Sequence, residues 1–369
     1  MRAARAALRA RSADGVLTRR DRLVILATCC LSLFTVGLDV SAVNVALPSI
    51  SSDLGATPAQ LQWVLDSYAL VIASLLIFGG SLGDRLGRKR VFQVGLVTFG
   101  VASVLCSLAP TPEALIGARM LQAVGGAMLN PVALSIVTNV FVDPRERAQA
   151  IGLWGTAFGM SLAFGPVVGG ALASGIGWEA IFWLNVPVCV LAVALTRRFV
   201  PESKADRARR TDPVGQVLIL TFLATLTFAI IEGRPLGWTS PVVVGCFVVS
   251  AGALVALIAY ESRRTEPLLD PRFFRSAPFS SSVACAVIAF AATGGFLFLN
   301  TLYLQEVRGM SPLSAGLMML PMAAASVVCA PIAGRLVGGP GARTPMVIGG
   351  VAMVAGALML TGLGNDTAL

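Results

Sequence analysis

The sequence predicts an all-α protein that crosses a lipid bilayer many times, and three observations carry that prediction. Hydrophobic residues fill 56% of the 369 positions and charged residues only 13%, about half the charged share of a soluble domain. The apolar residues gather into runs of about 20, the length an α-helix needs to cross ~30 Å of hydrocarbon. Of the 28 lysines and arginines, 25 fall in six short segments between alternate runs, as bases do on the cytoplasmic side of a membrane.

The runs lie near 23–47, 61–80, 91–109, 113–140, 150–174, 179–196, 214–232, 241–260, 281–304, 313–334 and 345–364, with prolines such as Pro48, Pro110, Pro144, Pro201 and Pro312 punctuating them. Seven arginines precede the first run, in Met1–Arg22. At about 25 residues that run exceeds the ~7–15-residue apolar region of a cleaved signal peptide, so it reads as a first transmembrane helix with a cytoplasmic N-terminus. The cytoplasmic segments are then 1–22, 81–90, 141–149, 197–213, 261–280 and 335–344. Only Arg234 and Arg308 lie in outside loops, and Arg119 lies within a run. The net charge of +9 is thus a topology signal and calls for no nucleic-acid partner.

Six helices over 23–200 form a first bundle behind the basic segment 1–22. The pair at 214–232 and 241–260, flanked by charged segments, reads as a two-helix insert over 201–280. Three further helices over 281–369 begin a second bundle. A faint internal repeat, Gly80-Ser81-Leu82…Gly87-Arg88-Lys89 on Gly334-Arg335-Leu336…Gly341-Ala342-Arg343, supports the division and has Gly338 in place of Asp84. Such repeats are common in secondary transporters, whose substrate site lies between the halves.

Histidine is absent, which excludes His-ligated metal sites and His-based proton relays. H-E-x-x-H does not occur, and Gly79-Gly80-Ser81-Leu82-Gly83, which spells G-x-S-x-G, has no histidine to activate its serine, which counts against an intramembrane enzyme. The seven cysteines all lie in apolar runs without a C-x-x-C pair and read as small hydrophobes. Proton chemistry falls to carboxylates. Asp39, Asp66 and Arg119 lie inside the spans, where an ionisable group is costly and a functional candidate by default. Counted at 1.5 Å per residue, they sit about 12, 8 and 9 Å from the outer helix ends. Similar depth predicts one cluster, in which Arg119 keeps one acid ionised and the other carries a proton. The alternative is a static ion pair that holds helices 1 and 4 together.

The stretch "GGSLGDRLGRKRVF" packs Asp84, Arg85, Arg88, Lys89 and Arg90 among Gly80, Gly83 and Gly87. The glycines predict a tight turn and close helix contact, and the bases mark the cytoplasmic face. Helix 1 contains "LDVSAVNVALP", helix 4 "RMLQAVGGAMLNP" and helix 5 "GMSLAFGPVVGG", followed by "WEAIFWLNVP". In this order and on these helices, the four stretches resemble the signature motifs of the major facilitator superfamily, in its fourteen-helix drug:proton antiporter branch of QacA-like and EmrB-like exporters. Ala123 stands where the helix 4 motif usually has glycine.

The resemblance implies a major facilitator fold with a complete N-terminal bundle and an incomplete C-terminal one. The implied activity is proton-coupled efflux of lipophilic or cationic drugs across the cytoplasmic membrane by alternating access. It would be driven by the proton gradient, with no cofactor. The same scaffold serves transporters of small polar metabolites, and eleven helices instead of fourteen leave a truncated, non-transporting membrane protein as a further alternative. Asp39 is the expected proton carrier, because the resemblance places helix 1 on the central cavity. Asp84 is expected to latch the halves, against a partner that falls after Leu369. Helix 5 carries Gly155/Gly159 and Gly165/Gly169, each pair four apart and suited to close packing, with Pro166 and Gly170 completing the antiporter motif as a pliable seam. Asn44, Gln122, Asn130, Asn185 and Asn300 are candidate substrate contacts or interhelical hydrogen bonds. Trp63, Trp178 and Trp238 read as an interface belt.

Overall fold

The structure, a computed structural model, describes residues 17–205, 212–264, 267, 271–338 and 343–360. The arginines up to Arg11, those at 207, 209 and 210, and Gly341 and Ala342 of the faint repeat lie outside the described residues. Helices form at all eleven apolar runs: α1 Arg19–Leu54, α2 Pro58–Leu86, α3 Arg88–Ser107, α4 Pro112–Val140, α5 Pro144–Gly175, α6 Glu179–Phe199, α7 Pro213–Leu236, α8 Pro241–Glu261, α9 Ala277–Leu302, the pair α10 Pro312–Met318 and α11 Leu320–Gly338, and α12 Arg343–Leu360. Among the described residues nine helices are long and apolar enough to cross a membrane.

The helices start where the side chains dictate. Thr18 and Thr57 cap α1 and α2 in reciprocal boxes with Asp21 and Gln60. Thr111, Asp143 and Asp212 cap α4, α5 and α7, each followed by proline at the first helical position, where its missing N–H costs nothing. The turns at 87 and 141–143 and the segment 200–205 share one end of the bundle with most of the described bases, here the basic end. Those at 55–57, 108–111, 176–178 and 237–240 mark the far end.

Helices α1–α6 pack on one another; α7 and α8 form a hairpin that leans on α2; α9, α10 and α11 reach α1 and α5. The six-helix bundle has two apolar cores. One, toward the basic end, includes Ile25, Cys29, Val36, Phe92, Phe99, Leu129 and Cys189. The other, toward the far end, includes Leu38, Ala42, Ile50, Val64, Cys106, Leu115 and Phe182. Asp39, Ser103, Gln122 and Asn185 each fall in sequence between members of the two cores, so the polar side chains form a layer between them.

Gly87 is the whole turn between α2 and α3, with φ +111°. The expectation that Gly80 and Gly83 also make the turn is corrected: both lie inside α2. They press that helix on α4, where an added Cβ would meet Pro131 at 3.3 Å and Val132 at 2.8 Å. With no proline between Pro58 and Gly87, the helix simply continues past the apolar run.

Candidate functional site

Four helices converge on Asp39, which is fully buried, and on Arg119, at 1% exposure. Arg119 and Gln122 are three apart on α4 and share a face. The guanidinium Nη1 donates to Asp39 Oδ2 and, at 2.6 Å, to Gln122 Oε1. Its Nε donates to the Val64 carbonyl of α2 at 3.2 Å, and the group lies 4.1 Å over the Tyr68 ring. The other carboxylate oxygen of Asp39 accepts from Gln122 Nε2 at 3.0 Å and from Asn185 Nδ2 of α6 at 2.7 Å. Gln122 Nε2 also donates to Ser103 Oγ of α3 at 2.9 Å.

Removing one partner from such a buried pair costs about 3–5 kcal/mol, because the remaining charge is stranded. Arg119, however, keeps acceptors that do not depend on Asp39: an amide oxygen, a backbone carbonyl and a ring face. A proton arriving on Asp39 Oδ2 would cancel the carboxylate charge while the guanidinium stayed seated. Asn185 Oδ1 and the Tyr68 hydroxyl are buried beside the network without a hydrogen-bond partner among the described residues.

The expected three-member cluster is corrected, and with it the division in which Arg119 keeps one acid ionised and the other carries the proton: the acid that Arg119 contacts is Asp39, the expected carrier itself. Asp39 and Arg119 meet, but Asp66 does not join them. It is half-buried on another face of α2 and lines a cavity against α7 with Leu223, Thr227 and Ile230. Equal depth does not imply equal azimuth: Asp66 is two residues from both Val64 and Tyr68, about 200° around the helix. The list of intramembrane acids was also one short. Glu232 lies inside α7 and accepts from Trp63 Nε1 at 2.9 Å; it stands at the end of its apolar run, which hid it. Trp178 is buried and donates to Asp53 Oδ2 at 2.9 Å, so it is no lipid-facing belt residue.

Of the polar candidates, Gln122 and Asn185 turn their amides to Asp39. Asn44 Oδ1 accepts from Thr301 Oγ1 of α9 at 3.1 Å, and Asn300 Nδ2 lies 3.3 Å from Met319 Sδ. Asn130 Oδ1 is buried without a hydrogen-bond partner among the described residues.

Along α5 the glycines divide into two groups. A Cβ on Gly165 would collide with Ser41 Oγ of α1, and one on Gly169 would meet the Ala42 carbonyl at 2.6 Å. Gly170 faces the Pro312 carbonyl and Gly316 faces the Pro166 carbonyl, so α5 and α10 interlock backbone to backbone. A Cβ on Gly155 or Gly159 would meet nothing within 4 Å among the described residues, so there the expectation of a packed pair is corrected. The other described contacts toward α9 and α10 also lie toward the far end: Gln305 Nε2 donates to the Val45 carbonyl at 2.9 Å, and Leu313 N to Ser174 Oγ at 3.1 Å.

At the basic end Asp84 pairs with Arg88 of its own turn, at 2.8 Å. The segment after α6 closes over this turn. Arg88 N donates to the Ser203 carbonyl at 2.9 Å and Ala205 N to the Asp84 carbonyl at 3.2 Å. Glu202 Oε1 accepts from Lys89 N at 3.1 Å, and Lys89 Nζ reaches the Val200 carbonyl at 2.6 Å. Arg85 is exposed.

The sequence profile of the Major Facilitator Superfamily matches residues 29–369. The chain is 37% identical over 341 residues to the multidrug resistance protein Stp of Mycobacterium tuberculosis, covering 92% of this chain and 64% of that protein. It is 37% identical to the methylenomycin A resistance protein of Streptomyces coelicolor, covering 86% and 68%. It is 36% identical to the multidrug efflux pump LfrA of Mycolicibacterium smegmatis, covering 91% and 67%. The chain thus spans about two thirds of the length of these relatives. The crystal structure of a peptide transporter POT in complex with sulfate has the same fold at TM-score 0.56 and 17% identity, over 85% of this chain and 68% of that one. With helices at every predicted span and a profile match over nearly its whole length, the chain is a multi-pass membrane protein and belongs to the Major Facilitator Superfamily.

Proposed function

We propose that this chain is the larger part of a proton-coupled exporter of lipophilic or cationic compounds, set in the cytoplasmic membrane with its N-terminus and basic end inside. The observation that carries the reading is Asp39: a buried carboxylate held by one guanidinium and two amides where four helices meet, in a chain without histidine. A proton and a cationic substrate compete for that carboxylate. When Asp39 is neutral, Arg119 rests on Gln122, Val64 and Tyr68, so the helices stay packed while the charge of the layer changes by one. The names of the relatives, which speak of multidrug resistance, efflux and antibiotic resistance, support the substrate class, and the distribution of bases supports the orientation. The interlocked far ends of α5 and α10 fit a state closed to the outside, with the mouth at the basic end. Asp84 and its clamp by residues 202–205 then sit at the mouth, where they gate it.

The test is export driven by an imposed pH gradient in liposomes, with this chain and a full-length relative in parallel. Asp39→Asn is expected to lower proton-driven export at least tenfold while leaving the helical content unchanged. Full export by that variant would overturn the carrier role and leave a static ion pair.

A further inference from the structure

Two kinds of partner hold the Arg119 guanidinium, and only one of them changes when a proton arrives. Asp39 loses its charge; the aromatic faces keep theirs. The guanidinium carbon lies 4.1 Å from the centre of the Tyr68 ring of α2 and 5.8 Å from that of the Phe182 ring of α6. Both distances fall within the ~6 Å over which a ring face attracts a cation. Both rings are buried. Trp178 packs on Phe182 at right angles, with 6.1 Å between ring centres. Gly126 of α4 makes room for Tyr68, since a Cβ there would meet its hydroxyl at 3.2 Å. That hydroxyl has no hydrogen-bond partner among the described residues, so what Tyr68 brings to the layer is its ring.

We infer that Tyr68 and Phe182 are positioning residues that set the pH at which Asp39 takes up a proton, by seating the Arg119 cation once its counter-ion is gone. The inference rests on Asp39 as the carrier and names what tunes it. A buried cation stripped of its counter-ion is costly. An Asp39–Arg119 ion pair presents a dipole to the rings, whereas a lone guanidinium presents a whole charge, so the faces attract Arg119 more strongly after protonation than before. They therefore favour the protonated layer, and removing a face makes uptake demand a lower pH. Next to Asp39 the described titratable groups are Arg119, Tyr68, Cys106 of α3 and Cys189 of α6. Asp66 of α2 faces α7 instead. Helix α5 meets this part of α1 through Phe158 and Ser161, and α9 meets α1 through Thr301 and Gln305; none of these is charged. A buried phenol and buried thiols stay protonated near neutral pH, so Asp39 is the group that changes charge.

The test is an infrared titration of the chain in a detergent without carbonyl groups, following the carbonyl stretch of the protonated Asp39 carboxyl. The band is identified by its loss in Asp39→Asn. Tyr68→Leu, which keeps an apolar side chain and removes the face, is expected to need about tenfold more protons for half-protonation, a shift of about one pH unit downward. Phe182→Leu is expected to shift the midpoint the same way by about threefold, because its ring lies farther from the cation. Tyr68→Phe, which keeps the face, is expected to stay within about twofold of the parent. A parent-like midpoint in Tyr68→Leu, a shift to higher pH, or a shift in Tyr68→Phe as large as that in Tyr68→Leu overturns the inference and leaves Asp39 as the carrier. If the parent shows no band that Asp39→Asn removes, the carrier reading and the inference fall together. Should Tyr68→Leu fail to fold, the direction of the Phe182→Leu shift decides.

Discussion

Asp39 and Asp66 are the same side chain, at similar depth on neighbouring helices, and their surroundings are opposites. Asp39 is fully enclosed, and both of its oxygens are engaged by three donors from two helices. Asp66 is half-buried, has no donor among the described residues and faces a cavity. The first acid is part of what holds the six-helix bundle in register; the second is an acid the fold tolerates. A membrane protein can therefore hold two intramembrane carboxylates whose contributions to stability differ by several kcal/mol, and the difference lies in azimuth, not depth.

Breaking that contrast from the strong side gives the largest effect. Arg119→Ala leaves Asp39 buried with two amide donors and no cation, and the chain is expected to lose about 3–5 kcal/mol, read as a shift in unfolding in detergent. A drop below 1 kcal/mol would make the two acids alike. Asn185→Ala removes one donor from Asp39 Oδ1 but leaves Gln122, with an expected loss of about 1–2 kcal/mol on the same measurement. Asp66→Asn sets the weak side: stability is expected to stay within about 0.5 kcal/mol of the parent, as for sites with no partner to lose. A loss of 2 kcal/mol there would reveal a structural role and erase the contrast.

Much of this was legible in the sequence. Hydropathy located every helix, because a bilayer leaves the backbone no alternative along an apolar run. A charge inside a run marked Asp39 and Arg119. The grouping was misread because distance from a helix end records only one coordinate. The i, i+2 spacing of Asp66 and Tyr68 would have separated them, just as the i, i+3 spacing of Arg119 and Gln122 would have joined that amide to the pair. Gly80 and Gly83 looked like turn residues, yet in the structure they are contact points for α4, since a missing Cβ serves close packing as well as a bend. Glu232 escaped because an acid at the edge of a run looks solvated until a neighbouring helix is known. Asn44 and Thr301 are 257 positions apart, and nothing local predicts such a meeting.

The uneven glycines of α5 have a mechanical consequence. From Gly165 to Gly170 the helix is wedged between α1 and α10, whereas a Cβ on Gly152, Gly155 or Gly159 would meet nothing within 4 Å among the described residues. That half is held by side chains instead: Ala150 is buried in the basic-end core with Trp154 packed against it, and Arg22 of α1 pairs with Glu146. Backbone pressed on backbone leaves no room to slide, whereas side-chain contacts re-form in other rotamers. The two halves of one helix are thus fastened differently, a rivet at the far end and a set of hooks at the basic end.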